Sequence, residues 1–395
     1  MLKDKDNSNG HMDISDSLPS LQFETALTAE QSLLLPLRSR AHCSTTGCLV
    51  SACYLVSVMN ATRKEVFVAK NKTRAAQRIM QMGIDGDPAK IGIIGCGRLG
   101  RQLIKVLKTY SNVSNELIYV STRRPESLSD FANAGMNVDF NNVWVASKCD
   151  VIFICCLPAV VNQICAEIKN HLTPDKLIYS FVAGYTAKKM ANIMNFTNII
   201  KPDFNWTDLS SKLPWSVAVL PSDCLGKKQL VEKFCPLFEL TQPIVDDESE
   251  ERLPVLPVFL DMHWLMRVVY ACVNYATSQQ VMSDVAVDIA NKVFFQSVKM
   301  ETTMKEILLE EHFHLPPESV ATQLFETTES DHSTYLEQTN ISMHQSTPAE
   351  AYFPYWDLTS VGSKVQLADV LKGSKSLRRA FIKRFSASFD KVIQF

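Results

Sequence analysis

The residues of this chain that could do chemistry concentrate in one short stretch. Of thirteen glycines in 395 residues, Gly92, Gly95, Gly97 and Gly100 fall within Ile91-Gly92-Ile93-Ile94-Gly95-Cys96-Gly97-Arg98-Leu99-Gly100, and none stands between Gly226 and Gly362. The stretch reads as an apolar strand running into G-x-G-x-x-G, with Arg101–Tyr110 continuing as a helix. Gly95 suits the tight turn, Gly97 the close approach of backbone to a pyrophosphate, and Gly100 the packing of helix on strand. The helix start offers unpaired N–H groups to the same anion. Strand, loop, helix and a second strand at Glu116–Ser121 agree, which sets this site apart from a glycine-rich turn without a ligand.

The end of that second strand selects among dinucleotides. A site for a free ribose 2′-hydroxyl places Asp or Glu there. This chain reads Ser121-Thr122-Arg123-Arg124, with no acid before Glu126. Two guanidiniums and two hydroxyls suit a dianionic 2′-phosphate held by bidentate, charge-assisted bonds, so NADP(H) is the expected cofactor. A solvated turn is the bland reading of the arginine pair.

These residues need a frame, and the hydrophobic pattern supplies one. Short runs rich in Ile and Val, at Lys90–Gly95, Glu116–Ser121, Val151–Leu157, Lys176–Val182 and Ser216–Leu220, alternate with helix-like stretches. The series predicts an α/β fold: a Rossmann doubly wound, mostly parallel sheet followed by a smaller all-helical domain, with a helical N-terminal extension. The boundaries expected are a disordered N-terminus over 1–21, the helical extension over 22–88 and the NADP-binding Rossmann domain over 89–245. A helical domain over 254–315 follows the acidic turn Asp246-Asp247-Glu248-Ser249-Glu250-Glu251, and residues 316–395 supply a loop and a basic C-terminal helix, Lys364–Phe395. Helices are expected at Met262–Tyr270 and Val285–Leu309, and a helix-like basic stretch at Thr73–Met80.

Residues 91–190 resemble the cofactor domain of the pyrroline-5-carboxylate reductases. Ile94, Gly95, Cys96, Gly97, Arg98, Leu99 and Gly100 match that family's phosphate loop, and Ser121 its 2′-phosphate serine. Asn142, in Val138-Asp139-Phe140-Asn141-Asn142, matches the asparagine near the cofactor ribose. Asp150–Pro158 matches the strand ending Ala-Val-Lys-Pro, and Ser180-Phe181-Val182-Ala183-Gly184-Tyr185-Thr186 matches Ser-x-x-Ala-Gly-Val-Thr. The resemblance implies that Cys155, Cys156, Leu157 and Pro158, with Phe181, Val182 and Ala183, line the nicotinamide half of the cofactor. Three departures stand out. The family lysine before that proline is Leu157, and Arg-x-Met-Pro-Asn-Thr-Pro appears as Lys201-Pro202-Asp203-Phe204-Asn205-Trp206-Thr207. The substrate motif Gly-Ser-Gly-Pro-Ala has no counterpart between Gly226 and Gly362.

Hydride transfer needs position, exclusion of water and a polarising donor, the electrons being the cofactor's. Within Asp261–Gln280 the donors are His263, Tyr270, Tyr275 and Ser278, and Asn205 could hold a substrate carboxylate or the nicotinamide amide. His263 is the natural proton donor. Tyr270 and Tyr275 read equally as packing residues, and His263 as a core or surface histidine. The expected function is an NADP-dependent oxidoreductase passing a hydride to a small imine or carbonyl. The alternative is a non-catalytic NADPH-binding or protein-interaction module, in which Trp206 or Trp264 would plug the substrate pocket.

Composition bounds the partners. Hydrophobic residues at 46% and charged residues at 21% support a sizeable core. Lys+Arg 40 against Asp+Glu 42 gives a net charge of −2, so no basic field calls for nucleic acid. Eleven cysteines in a chain this long make no disulfide framework, and no Cys/His spacing suggests a metal site. The longest apolar run, Cys48–Met59, is too short to span a bilayer and reads as a buried helix. A cytoplasmic location, an unidentified small-molecule substrate and a homodimer through the helical domain are the remaining expectations.

Overall fold

The computed structural model describes residues 26–71, 88–111, 113–206, 221–237, 258–295, 352–353, 355–361 and 366–389. Six short strands form a parallel sheet: β1 (Ile91–Ile94), β2 (Ile118–Ser121), β3 (Asn137–Asp139), β4 (Val151–Ile154), β5 (Leu177–Ser180) and β6 (Ile199–Ile200). Their order is β3-β2-β1-β4-β5-β6, so the chain direction across the sheet reverses between β1 and β4. In register, Ile94 stands opposite both Ser121 and Ile154, and Ile154 opposite Ser180. The central strands therefore end level, and their following loops share one edge.

β1 and β4 are buried at every residue, which requires a cover on both faces. Helices α3 (Asn142–Lys148), α4 (Val161–Ile168) and α5 (Ala187–Met194) close one face over Ile152, Ile154 and Ile178. The other face packs Ile93, Phe153 and Tyr179 into a larger core. That core takes in α1 (Pro36–Lys70) and α2 (Arg98–Tyr110). It extends through α6 (Met262–Ser278), α7 (Ser283–Phe295) and α9 (Lys375–Ala387).

The expected helical N-terminal extension is present, and its apolar run Cys48–Met59 is buried as expected. Leu49, Val50, Ser51, Ala52, Cys53, Tyr54, Leu55 and Val56 are all buried, so apolar contacts surround α1. A helix apolar all round belongs inside a core, not on it as an appendage. Its turns pack on α2, α6 and α7. Among the described residues this is the one helix long and apolar enough to cross a membrane, and 72% of its apolar window is buried within the protein.

Two strands outside the sheet join it to the C-terminal helices. β7 (Phe204–Trp206) pairs antiparallel with β8 (Val258–Leu260), Asn205 standing opposite Phe259. α6 then runs back against the sheet, opposite in sense to its strands. Trp264 Nε1 near its start donates to Tyr179 Oη, and Asn274 near its end donates to Asn198 Oδ1, just before β6. The start of α6 thus lies at the C-terminal edge of the sheet.

The strands are shorter than their apolar runs because Asn115–Leu117 is a 3₁₀ turn and the chain leaves β4 at Cys155. β3, β6, β7 and β8 escaped the sequence pattern: β3 is half-buried and polar at both ends, and β6 has two residues. The single basic C-terminal helix is two, α8 (Gln366–Gly373) and α9, with Ser374 capping the second. The expectations at 1–21, Thr73–Met80, Ser216–Leu220, the acidic turn 246–251 and the helix beyond Phe295 lie outside the described residues.

Candidate functional site

Level strand ends bring three loops side by side. Gly95 N–H donates to Ser121 C=O at 3.0 Å, Cys155 N–H to Ile94 C=O at 2.8 Å, and Phe181 N–H to Ile154 C=O at 3.0 Å. Backbone bonds thus set Ser121, the glycine loop, Cys155 and Phe181 in one row. Gly95 has φ +90, and a side chain there would meet Cys156 N and Cα at 3.0 Å. Only glycine turns there without strain. Gly97 differs: a Cβ would have no atom within 4 Å, leaving bare backbone exposed at the start of α2. Gly100 packs beneath, where a Cβ would lie 2.9 Å from Gly95 O.

The walls of this row are neutral. Burial pushes the Cys96 thiol up to about 11 and the Cys155 thiol well above its ordinary 9.0. Both stay protonated and put no negative charge beside an incoming anion. Arg98, Gly97, Leu157, Pro158 and Ala183 are exposed, whereas Ile94 and Val182 are buried. Val182 contributes its carbonyl, which accepts from Lys201 Nζ. Burial lowers the Lys201 pKa against the opposing pull of Asp203. Lys201 thus ties the end of β6 to the loop after β5.

Ser121 takes a different place from a direct anion contact. It is 0% exposed, and its hydroxyl donates to Asn142 Oδ1 at 2.8 Å. Asn142 in turn donates to Glu167 at 2.8 Å. Arg123 and Arg124 are left as the exposed cations beyond the end of β2. Ser121 therefore helps orient Asn142.

Of the five candidates for chemistry, the structure joins His263 and Asn205 and sets Tyr275 apart. Asp261 caps α6, accepting His263 N–H at 2.7 Å; its carboxylate also contacts His263 Nδ1 and accepts from Asn205 Nδ2 at 2.8 Å. Burial raises the Asp261 pKa, but the bonds from His263 and Asn205 outweigh it and hold the carboxyl below 3.8. His263 and Asn205 thus share one carboxylate at the cofactor-loop edge. Asp261 was missed in the sequence, although an Asp directly before a helix is a capping signal.

Tyr275 lies away from the loop row. It is buried under the Arg63 guanidinium, which pairs with Asp150 at 3.3 Å, and Asp150 accepts Lys90 N–H. Lys90 and Asp150 precede β1 and β4, so Tyr275 lies at the opposite edge from the loops. Tyr270 stacks on Trp356, and the Ser278 hydroxyl donates to Tyr275 C=O. Trp264 is in the core bonded to Tyr179, and Trp206 lies under Arg40. Trp264, wholly buried in the core, does not supply the plug of the alternative reading. Among the described residues no group of three His, Cys, Asp or Glu side chains is placed to hold a metal.

The comparisons bear on this same loop row. The profile of the family described as NADP oxidoreductase, coenzyme F420-dependent, matches residues 90–184. Mouse NADP-dependent oxidoreductase domain-containing protein 1 is 27% identical over 89% of this chain and 87% of its own length. Pyrroline-5-carboxylate reductase of Escherichia coli K12 is 30% identical over 106 residues, 27% of this chain. Over about a quarter of its length the chain is thus similar to pyrroline-5-carboxylate reductases. It matches 39% of the length of that bacterial reductase. The solved reductase of Coxiella burnetii is 16% identical, with a TM-score of 0.28 over 78% of this chain and 98% of that one. The profile match spans the loop row and strands β1 to β5.

Proposed function

We propose that this protein is an NADP-dependent oxidoreductase that passes a hydride to a small imine or carbonyl substrate. The observation that carries the reading is the bare backbone at Gly97, set between neutral thiols and the exposed Arg123–Arg124 pair. Pyrophosphate fits where a Cβ would find open space, and a 2′-phosphate fits two guanidiniums with no acid on β2. The nicotinamide supplies the hydride when the cofactor is bound. Arg98 and the start of α2 face the pyrophosphate; Leu157, Pro158, Phe181 and Ala183 exclude water from the nicotinamide end. His263, its Nδ1 held by Asp261 and its side chain 36% exposed, presents Nε2 to donate a proton to the substrate nitrogen or oxygen. Asn205 holds Asp261 in place and so acts through it.

The substrate differs from that of the reductases in this reading, because the glycine-bearing substrate motif has no counterpart before Gly362. Calorimetric titration with NADPH and NADH tests the cofactor. NADPH is expected to bind at least about tenfold tighter, the worth of one charge-assisted phosphate contact. Oxidation of NADPH with pyrroline-5-carboxylate, other cyclic imines and α-keto acids then tests the reaction. Binding of neither nucleotide removes the enzyme reading, and binding without turnover across that panel favours the non-catalytic module.

A further inference from the structure

Seven large apolar side chains stand exposed among the described residues; of these Phe140 directly follows β3, and Leu157 lies in the loop after β4. Phe140 is 73% exposed, and it is the one exposed phenylalanine among them. Leaving such a side chain in water is unfavourable, so its exposure beside a ligand edge asks for a reason.

Its position is held from both sides. Thr122 N–H donates to Asp139 C=O at 3.0 Å, just before Phe140. Asp139 Oδ1 accepts Asn141 N–H at 2.9 Å, and Asn141 Oδ1 accepts Trp144 N–H at 3.0 Å, just after it. Ser121 stands opposite Asp139 in the β2–β3 register, so Phe140 and Thr122-Arg123-Arg124 leave adjacent strand ends together. A ring on an anchored backbone thus projects beside two exposed guanidiniums.

We infer that Phe140 is the stacking face for the purine of the dinucleotide, next to the arginine pair that takes the 2′-phosphate. The inference rests on the dinucleotide reading above and names what recognises the base. An aromatic plate flanked by cations matches a purine carrying a phosphate, whereas an apolar protein partner would cover two unpaired guanidiniums. The strand order supports the placement. Phe140 after β3 and Leu157 after β4 lie three strand spacings apart, about 14 Å, which gives the two ends of a dinucleotide separate platforms.

The test uses the full chain and adenosine 2′,5′-bisphosphate, which has the purine and the 2′-phosphate but no nicotinamide. Calorimetry is run on wild type, Phe140→Ala and Phe140→Trp, with melting temperatures alongside. Phe140→Ala is expected to bind both this probe and NADPH about tenfold more weakly, within the range for base–aromatic stacking. Phe140→Trp is expected to restore binding, and both variants should melt as wild type does. Quenching of ethenoadenine-NADP fluorescence by wild type, lost in Phe140→Ala, reports the stacking directly. Wild-type binding with Phe140→Ala unchanged, or with Phe140→Trp as weak as Ala, overturns the Phe140 assignment alone. Failure of wild type to bind either ligand removes the dinucleotide reading, and the assignment with it.

Discussion

The Asn205 amide donates to the Asp261 carboxylate at 2.8 Å across 56 residues of sequence. That bond links the strand leaving the parallel sheet to the cap of the helix that carries His263. It makes one unit of two side chains whose sequence neighbourhoods have nothing in common.

The unit has a signature in acid. The folded Asp261 carboxyl lies below its ordinary 3.8, so its contribution is present above that value and is lost as pH falls through the folded pKa. Wild type should therefore lose stability below about pH 4 more steeply than Asp261→Asn. Asp261→Ala should cost about 1 kcal/mol at neutral pH through the lost cap. Urea titrations across pH measure both, and parallel pH curves for wild type and Asp261→Asn would show that the carboxylate makes no such contribution.

Gly97→Ala separates binding from folding. Its Cβ has no neighbour within 4 Å, so the variant should melt with wild type. The same methyl stands where backbone must meet pyrophosphate, and NADPH affinity should fall at least about tenfold. Gly95→Ala should instead destabilise by about 1–3 kcal/mol, because φ is +90 and Cys156 backbone lies at 3.0 Å. NADPH binding unchanged in Gly97→Ala would place the pyrophosphate elsewhere.

The proposed site gives the arginine pair the task of setting nucleotide preference. Replacing Arg123 and Arg124 together by Ala should weaken NADPH by roughly 10–100-fold and leave NADH nearly unchanged. Both side chains are exposed, so stability should hold. Equal weakening of the two nucleotides would exclude these residues from reading the 2′-phosphate.

Tyr179 couples α1 to the sheet and to α6. Its hydroxyl donates to Ser51 Oγ at 2.6 Å and accepts from Trp264 Nε1 at 2.9 Å. Ser51→Ala should cost about 1–2 kcal/mol, and Tyr179→Phe a similar amount. A double-mutant cycle should show a coupling of at least about 0.5 kcal/mol. A cycle that closes to zero would mean that the bond seen in the core adds nothing to stability.

Much of the site was legible because its physics is local. A turn with φ +90 and a backbone left bare depend on glycines a few residues apart, and the run Ile91–Gly100 states them outright. Buried parallel strands announce themselves by unbroken Ile and Val, as at Val151–Ile154. Polar or two-residue strands such as β3 and β6 carry no such pattern, since their pairing comes from neighbours.

The sequence by itself determined the strand–loop–helix with its bare Gly97 backbone and the cations that follow β2. Tertiary structure decided where everything distant falls relative to them. α6 lies opposite in sense to the strands, so its ends meet opposite edges of the sheet. That direction puts His263 by the cofactor loops and Tyr275 at the far edge, although both sit on one helix. Periodicity along a chain specifies which face of a helix is buried, but its direction against a sheet is set only by long-range packing. The same holds for α1: the run Cys48–Met59 already reads as a buried helix, but only long-range packing sets α2, α6 and α7 against it.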